Sequence, residues 1–228
     1  MRRQPIDNIK YDLILFDFDG TIAATDRGIK RCAKAALDYY GIEEKDESRL
    51  DYFIGPPLID AFRKLYGVDE EKGRLLVDKY REVYSAGGLY ECDLYPGIEE
   101  QLKLLRSEGR RLAVVSSKPG PFVKLLLERF GIMYYFDLIS APEIGHINPT
   151  KAELIQTALD HFGAEPGQAV MIGDRLYDIQ GGKAVGTLTL GAAYGYGGEI
   201  ELREYGADLI ALQTNQIVEL IRNYEKDD

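Results

Sequence analysis

The chain has 228 residues, room for one large domain or a domain with an insert, and its 45% hydrophobic and 29% charged residues are those of a globular chain. Lys and Arg number 28 against 38 Asp and Glu, a formal charge of −10 that argues against a broad basic surface for nucleic acid. An anionic substrate would have to be drawn by a local cationic cluster or a metal ion, because the overall field repels it.

Two cysteines, Cys32 and Cys92, lack CxxC spacing, so neither a disulfide framework nor a zinc site is expected and a reducing compartment fits. Met1-Arg-Arg-Gln-Pro leads into Tyr11-Asp12 without an apolar leader core, and no run approaches the ~20 apolar residues of a membrane span. The expectation is a soluble, cytoplasmic protein.

The first apolar run, 13–16, is too uniformly hydrophobic for a half-exposed strand and reads as a buried parallel one. From Ala24 to Leu94 there follow helical patterns at 28–40, 58–66 and 72–84 with no buried strand, a stretch too long for a connection between a strand and its helix. It reads as a helical insert, with Gly20, Gly28 and Gly87-Gly88 near flexible boundaries. Beyond it, helices alternate with apolar runs at 112–115, 136–139, 169–172, 187–190 and 209–212. Pro96-Gly97 opens a helix over 98–108 that carries Ile98, Leu102 and Leu105 on one face and ends at Gly109; helices over 122–130 and 151–162 end at Gly131 and Gly163. The pattern predicts an α/β fold: a Rossmann-like, doubly wound parallel sheet built from 1–23 and 95–228, with 24–94 as an inserted α-helical cap domain. The tail from Glu225 is expected to fray.

Leu13-Ile-Leu-Phe-Asp17-Phe-Asp19-Gly20-Thr21 runs an apolar strand into two acids whose spacing aims both carboxylates the same way. In an open α/β sheet ligands sit beyond the carboxyl ends of the strands, where these acids fall. A second strand ends in Ser116-Ser117-Lys118, Lys151 begins a helix, and another strand ends in Gly173-Asp174-x-x-x-Asp178. Taken singly, each has a plain structural reading: Asp19-Gly20 as a turn, Ser116 as a helix cap, Asp174 and Asp178 as first-turn acids, Lys151 as a surface lysine. All four in this order are hard to obtain from those readings.

The set resembles the haloacid dehalogenase superfamily of phosphotransferases, over essentially the whole chain and including the position of the insert. The resemblance implies strand order 5-4-1-2-3 in the core and a type 1 helical cap that closes over the site. It implies a Mg2+-dependent phosphatase that works through an aspartyl-phosphate. Asp17 is then the nucleophile and Asp19 the acid and base. Asp17, Asp174, Asp178 and the backbone carbonyl of Asp19 are the metal ligands. Ser116, with backbone N–H groups near Gly20 and Ser117, holds a phosphate oxygen, and Lys151 offsets the charge, with Lys118 as the alternative lysine.

The acid at Asp19 disfavours carbon–halogen and carbon–phosphorus cleavage, which need no proton for a leaving alkoxide. Asn148-Pro-Thr-Lys151-Ala-Glu153, Phe53-Ile-Gly-Pro-Pro57 and Tyr194-Gly-Tyr-Gly-Gly-Glu199 are similar to the phosphoglycolate-phosphatase-like branch, which also holds nucleotidase-like members. The expected substrate is a small phosphorylated metabolite, phosphoglycolate-like or a nucleoside monophosphate, with the 53–57 loop as a candidate to reach its leaving group. The alternatives are a sugar-phosphate mutase of the same superfamily and a non-enzymatic phosphoaspartate signalling or binding protein. No P-loop or GxSxG occurs, Gly195-x-Gly197-Gly198 reads as a loop, and His146 and His161 read as surface or helix-end residues. No heptad or clear apolar patch indicates an oligomeric state.

Overall fold

Strand β1, Leu13–Phe16, is buried along its whole length, as its unbroken apolar sequence requires. It belongs to a computed structural model that describes residues 9–144 and 149–227; the N-terminal Met1-Arg-Arg-Gln-Pro, His146, Asn148 and the last residue, Asp228, lie outside the described residues. The described residues form two compact units, one running to Ala23 and resuming at Leu94, the other Ala24–Asp93. Where the chain passes between them, the short strands β2 (Ala23–Ala24) and β3 (Asp93–Leu94) pair with each other.

The smaller unit is helical: α1 (Asp26–Tyr39), a 3-10 turn (Glu47–Phe53), α2 (Leu58–Tyr66) and α3 (Glu70–Ala86). The side chain of Asp69 accepts from Lys72 N at 2.8 Å and starts α3 two residues before the expected 72. The unit has its own core, in which Phe53 packs edge-on against Phe62 with ring centres 4.6 Å apart and stacks on Tyr66 at 6.4 Å. The Phe53 ring is thus committed to packing. Gly28 and Gly88 are packing points and not loose boundaries, since a Cβ on Gly28 would lie 2.2 Å from the Gly88 carbonyl oxygen. Cys32 and Cys92 are buried free thiols, and burial pushes the Cys32 thiol up to about 11.

The larger unit continues with α4 (Ile98–Ser107), β4 (Arg111–Val115), α5 (Gly120–Arg129), β5 (Leu138–Ser140), α6 (Lys151–Phe162), β6 (Ala169–Gly173) and α7 (Leu176–Val185). It closes with β7 (Leu188–Ala192), α8 (Gly198–Glu204), β8 (Leu209–Ala211) and α9 (Ile217–Asp227). The sheet order is β5-β4-β1-β6-β7-β8, with every pairing parallel. Counted as core strands, this is the expected five-strand order with β8 added as a sixth at the edge. On one face, Leu13, Leu15, Ala113, Val115, Ala169 and Met171 pack against Leu154, Ile155, Ala158 and Leu159 of α6. Burying such side chains contributes about 1.5–3 kcal/mol each, which fixes the helix against the strands. No described helix is long and apolar enough to cross a membrane.

Register decides where the chemistry falls. Phe16 pairs with both Val114 and Ile172, and Asp17 N continues the ladder to Ile172 O at 2.8 Å, so the three central strands end together. The α9 helix continues through Glu225 instead of fraying, because Arg110, only 2% exposed, holds the Glu225 carboxylate bidentately at 2.8 Å and donates to Tyr11 O at 2.6 Å. Arg110→Ala would leave Glu225 facing a lost partner in a nearly dry setting, so the substitution is expected to destabilise the chain by about 3 kcal/mol in urea unfolding. A loss below about 1 kcal/mol would mean that this ion pair does not anchor α9.

Candidate active site

The strand β1 stops at Phe16, and alternation then sends Phe18 into the core while Asp17 and Asp19 share the other side. The following turn is closed by Gly20 N to Ala23 O at 2.9 Å, with Gly20 at φ +83°, a conformation in which any Cβ is strained. A Cβ there would also lie 2.1 Å from Oδ2 of Asp174, so the glycine lets the acid from β6 approach the turn.

Oxygens of Asp17, Asp174 and Asp178 lie within 4.8 Å of one another. Lys151 enters this cluster because Thr150 and Glu153 form a reciprocal capping box that makes Lys151 the first residue of α6. Its Nζ stands 3.0 Å from Asp17 Oδ1 and 2.8 Å from Asp178 Oδ1 and donates to Val115 O at 3.0 Å. Asp178 also accepts Arg175 N at 3.1 Å, so it both caps α7 and faces the cluster. Asp174 is fully buried; its Oδ2 accepts Tyr196 N at 2.7 Å, whereas its Oδ1 is buried with no hydrogen-bond partner.

Three carboxylates against one ammonium leave a negative excess in a desolvated place. Burial pushes the Asp17 carboxyl up to about 6; Lys151 opposes the rise, and the charges of Asp178 and Asp19 add to it. Asp174 is held well above the carboxylate range by burial and by its two acidic neighbours. Against the penalty of burial, Asp17 and Asp178 hold the Lys151 ammonium charged, above its usual range. The orphaned Asp174 Oδ1, the all-oxygen donor set and the excess negative charge fit a hard divalent cation held by Asp17, Asp174 and Asp178.

The Asp19 side chain stands outside that cluster. It is paired with Lys118, whose Nζ is 3.0 Å from Oδ1 and 3.3 Å from Oδ2. Ser116 is buried and accepts Lys118 N at 3.3 Å, while Ser117 is part-exposed and Gly20 buried. The cap of α5 is Pro119, so Ser116 is not a helix cap. Two participants escaped the sequence reading of the site: Lys118, there only an alternative, and Tyr196, whose backbone N–H no side-chain pattern announces. Two surface hollows lie elsewhere. One of about 490 Å³ is lined by Arg106, Arg110 and Arg111, each already paired with an acid.

A family model described as haloacid dehalogenase-like hydrolase matches residues 14–192, from β1 through β7. The chain is 40% identical over 210 residues to a 5'-nucleotidase of Pseudomonas aeruginosa, covering 90% of this chain and 95% of that one. It is 34% identical over 185 residues to the tyrosine-protein kinase PtkA of Mycobacterium tuberculosis, 81% of this chain but 63% of the kinase. Among solved structures, that of a predicted phosphatase from Clostridium acetobutylicum matches with a TM-score of 0.87 at 35% identity, over 95% of this chain and 99% of that one.

The buried carboxylates set a pH dependence in metal-free protein. A carboxyl raised to about 6 in the folded state, against roughly 4 unfolded, is no burden below pH 4, destabilises the fold increasingly as pH rises from 4 to about 6, and carries a constant penalty above that. In EDTA, Asp17→Asn is therefore expected to match the wild type near pH 4 and to exceed it at pH 7 by about 3 kcal/mol, the equivalent of roughly two pKa units. Equal melting curves at pH 7 would show that the cluster carries no such strain.

Proposed function

Because the chain belongs to the haloacid dehalogenase-like hydrolase family and is a phosphatase of it, we propose that it hydrolyses a small phosphomonoester through covalent phosphorylation of Asp17. The observation that carries this reading is the placement of Asp17: a buried carboxylate at the carboxyl edge of the sheet, beside Lys151, with a second acid two residues on. In the first step a carboxylate oxygen of Asp17 attacks phosphorus, the bond from phosphorus to the leaving oxygen breaks with its electron pair, and Asp19 gives that oxygen its proton. In the second step Asp19 takes a proton from water, the water oxygen attacks the phosphoryl group, and the Asp17 carboxylate is released as inorganic phosphate forms.

Ser116 and the backbone N–H groups near Gly20 and Ser117 hold the phosphoryl oxygens, and Lys151 keeps Asp17 ionised beside a dianion. Asp17, Asp174, Asp178 and the Asp19 backbone carbonyl would hold Mg2+, which would supply further neutralisation of phosphoryl charge. Lys118 holds the Asp19 carboxylate in place for both proton transfers. The 24–94 insert acts as the cap domain and carries the choice of substrate. The 5'-nucleotidase relationship favours a nucleoside monophosphate over a phosphoglycolate-like substrate. The two buried free thiols support a reducing, cytoplasmic setting.

A screen of nucleoside monophosphates, phosphoglycolate and sugar phosphates, reading released inorganic phosphate with Mg2+ and with EDTA, tests the reading directly. Release is expected only with metal; transfer to another hydroxyl without phosphate release would identify a mutase or kinase instead. Asp17→Asn is expected to lower kcat roughly a thousandfold or more while the protein stays folded. Turnover near the wild-type rate in that variant would exclude the covalent route.

Lys118 can be separated from Lys151 by the leaving group. With 4-nitrophenyl phosphate the departing oxygen needs no proton, so Lys118→Met is expected to slow an alkyl phosphate about tenfold more than the aryl one. Equal losses on both substrates would remove Lys118 from the protonation step.

A further inference from the structure

After β7 ends at Ala192 the chain turns sharply, Gly195 N donating to Ala192 O at 3.0 Å. Within this turn the Tyr194 hydroxyl donates to Thr21 O at 3.0 Å, in the loop that carries Asp17 and Asp19, and the Tyr194 ring meets Tyr95 edge-on with centres 4.9 Å apart. Gly195 lies so close to that loop that a Cβ would sit 2.3 Å from Gly20 O and 2.4 Å from the Cβ of Asp174. Tyr196 N then donates to Asp174 Oδ2 at 2.7 Å. Three successive residues thus bind the nucleophile loop and Asp174 together.

Asp174 is the member of the acidic cluster that most needs such a constraint. Lys151 orients Asp17 and Asp178 through ion pairs, whereas Asp174 has no lysine partner among the described residues. Its only hydrogen bond among the described residues is the one from Tyr196, made at Oδ2, and Oδ1 is left buried and unpartnered. With Oδ2 engaged, rotation of the carboxylate would break that hydrogen bond, so Oδ1 is the oxygen left open to a ligand.

We propose that Tyr194-Gly195-Tyr196 is a positioning strap that locks the Asp174 carboxylate so that Oδ1 alone is presented to a divalent cation. The strap rests on the metal reading given above and adds to it a cause for the orientation of one ligand. The Thr21 anchor ties the metal-facing oxygen to the loop of the nucleophile, so the two cannot drift apart independently. Outer-shell contacts of this kind act by holding ligand geometry before the ion arrives.

The test is calorimetric titration of Mg2+ into metal-free protein without substrate, for the wild type, Gly195→Ala and Tyr194→Leu, beside thermal unfolding in EDTA. Gly195→Ala forces the strap off Asp174, and Tyr194→Leu removes the Thr21 anchor without adding atoms near Gly20. Each is expected to raise the Mg2+ dissociation constant about tenfold while unfolding in EDTA stays cooperative. A dissociation constant within about twofold of wild type in either folded variant would overturn the strap. Should Gly195→Ala not fold, Tyr194→Leu decides alone. A wild type that takes up no Mg2+ would overturn the metal reading and the strap with it, whereas wild-type binding with unaltered variants would overturn the strap only.

Discussion

The site depends on one buried ammonium. Lys151 lies about 3 Å from one carboxylate just after β1 and from another in the first turn of α7, and at the effective dielectric of such places each contact is worth roughly 5 kcal/mol of Coulomb energy before desolvation is subtracted. Without it, Asp17 would face Asp178 and Asp174 with no ammonium beside it, and its carboxyl would hold its proton to higher pH. A protonated Asp17 is no nucleophile. The lysine therefore links the stability of the cluster to its chemistry, and the capping box of Thr150 with Glu153 is what brings it there.

The same lysine shows why the parallel sheet matters. Because all six strands run the same way and the central three end in register, residues that follow β1, β4 and β6 arrive at one edge, and α6 delivers Lys151 to it from the packed face. An antiparallel partner would have sent every second strand end to the far side. The hydrophobic packing of α6 on Leu13, Leu15 and Met171 is accordingly part of the geometry that places Lys151.

The structure divides two positive charges between two tasks. Lys151 pairs with Asp17 and Asp178, and Lys118 pairs with Asp19, so the two acids of the Asp17-Phe-Asp19 segment sit in different electrostatic settings. Phe18, fully buried between them, keeps them apart by fixing the backbone alternation. The phosphoryl transfer proposed above asks for that division: one carboxylate would stay charged to attack, and the other would exchange a proton twice.

The amino-acid sequence by itself determined the fold class, the run of six strands, of which the edge strands β5 and β8 are only partly buried, the helical character of 24–94 and the identity of the acids, because unbroken apolar runs and short-range spacing are local properties. It placed α6 at Lys151 for the same reason. Element ends were less legible: β7 extends through Gly191-Ala192, whose small side chains carry little signal, and α9 persists through Glu225 where Arg110, 115 residues away in sequence, and the Tyr11 N–H hold it. Phe53 and Gly28, read as mobile or substrate-facing, are spent on packing, a fact that depends on Phe62 and Gly88 being near. Which lysine meets which acid, that Asp174 keeps one oxygen unpartnered, and that a backbone N–H of Tyr196 holds the other were decided by tertiary structure alone. Such contacts join segments from tens of residues to well over a hundred apart, and neither periodicity nor residue type encodes the distance between them.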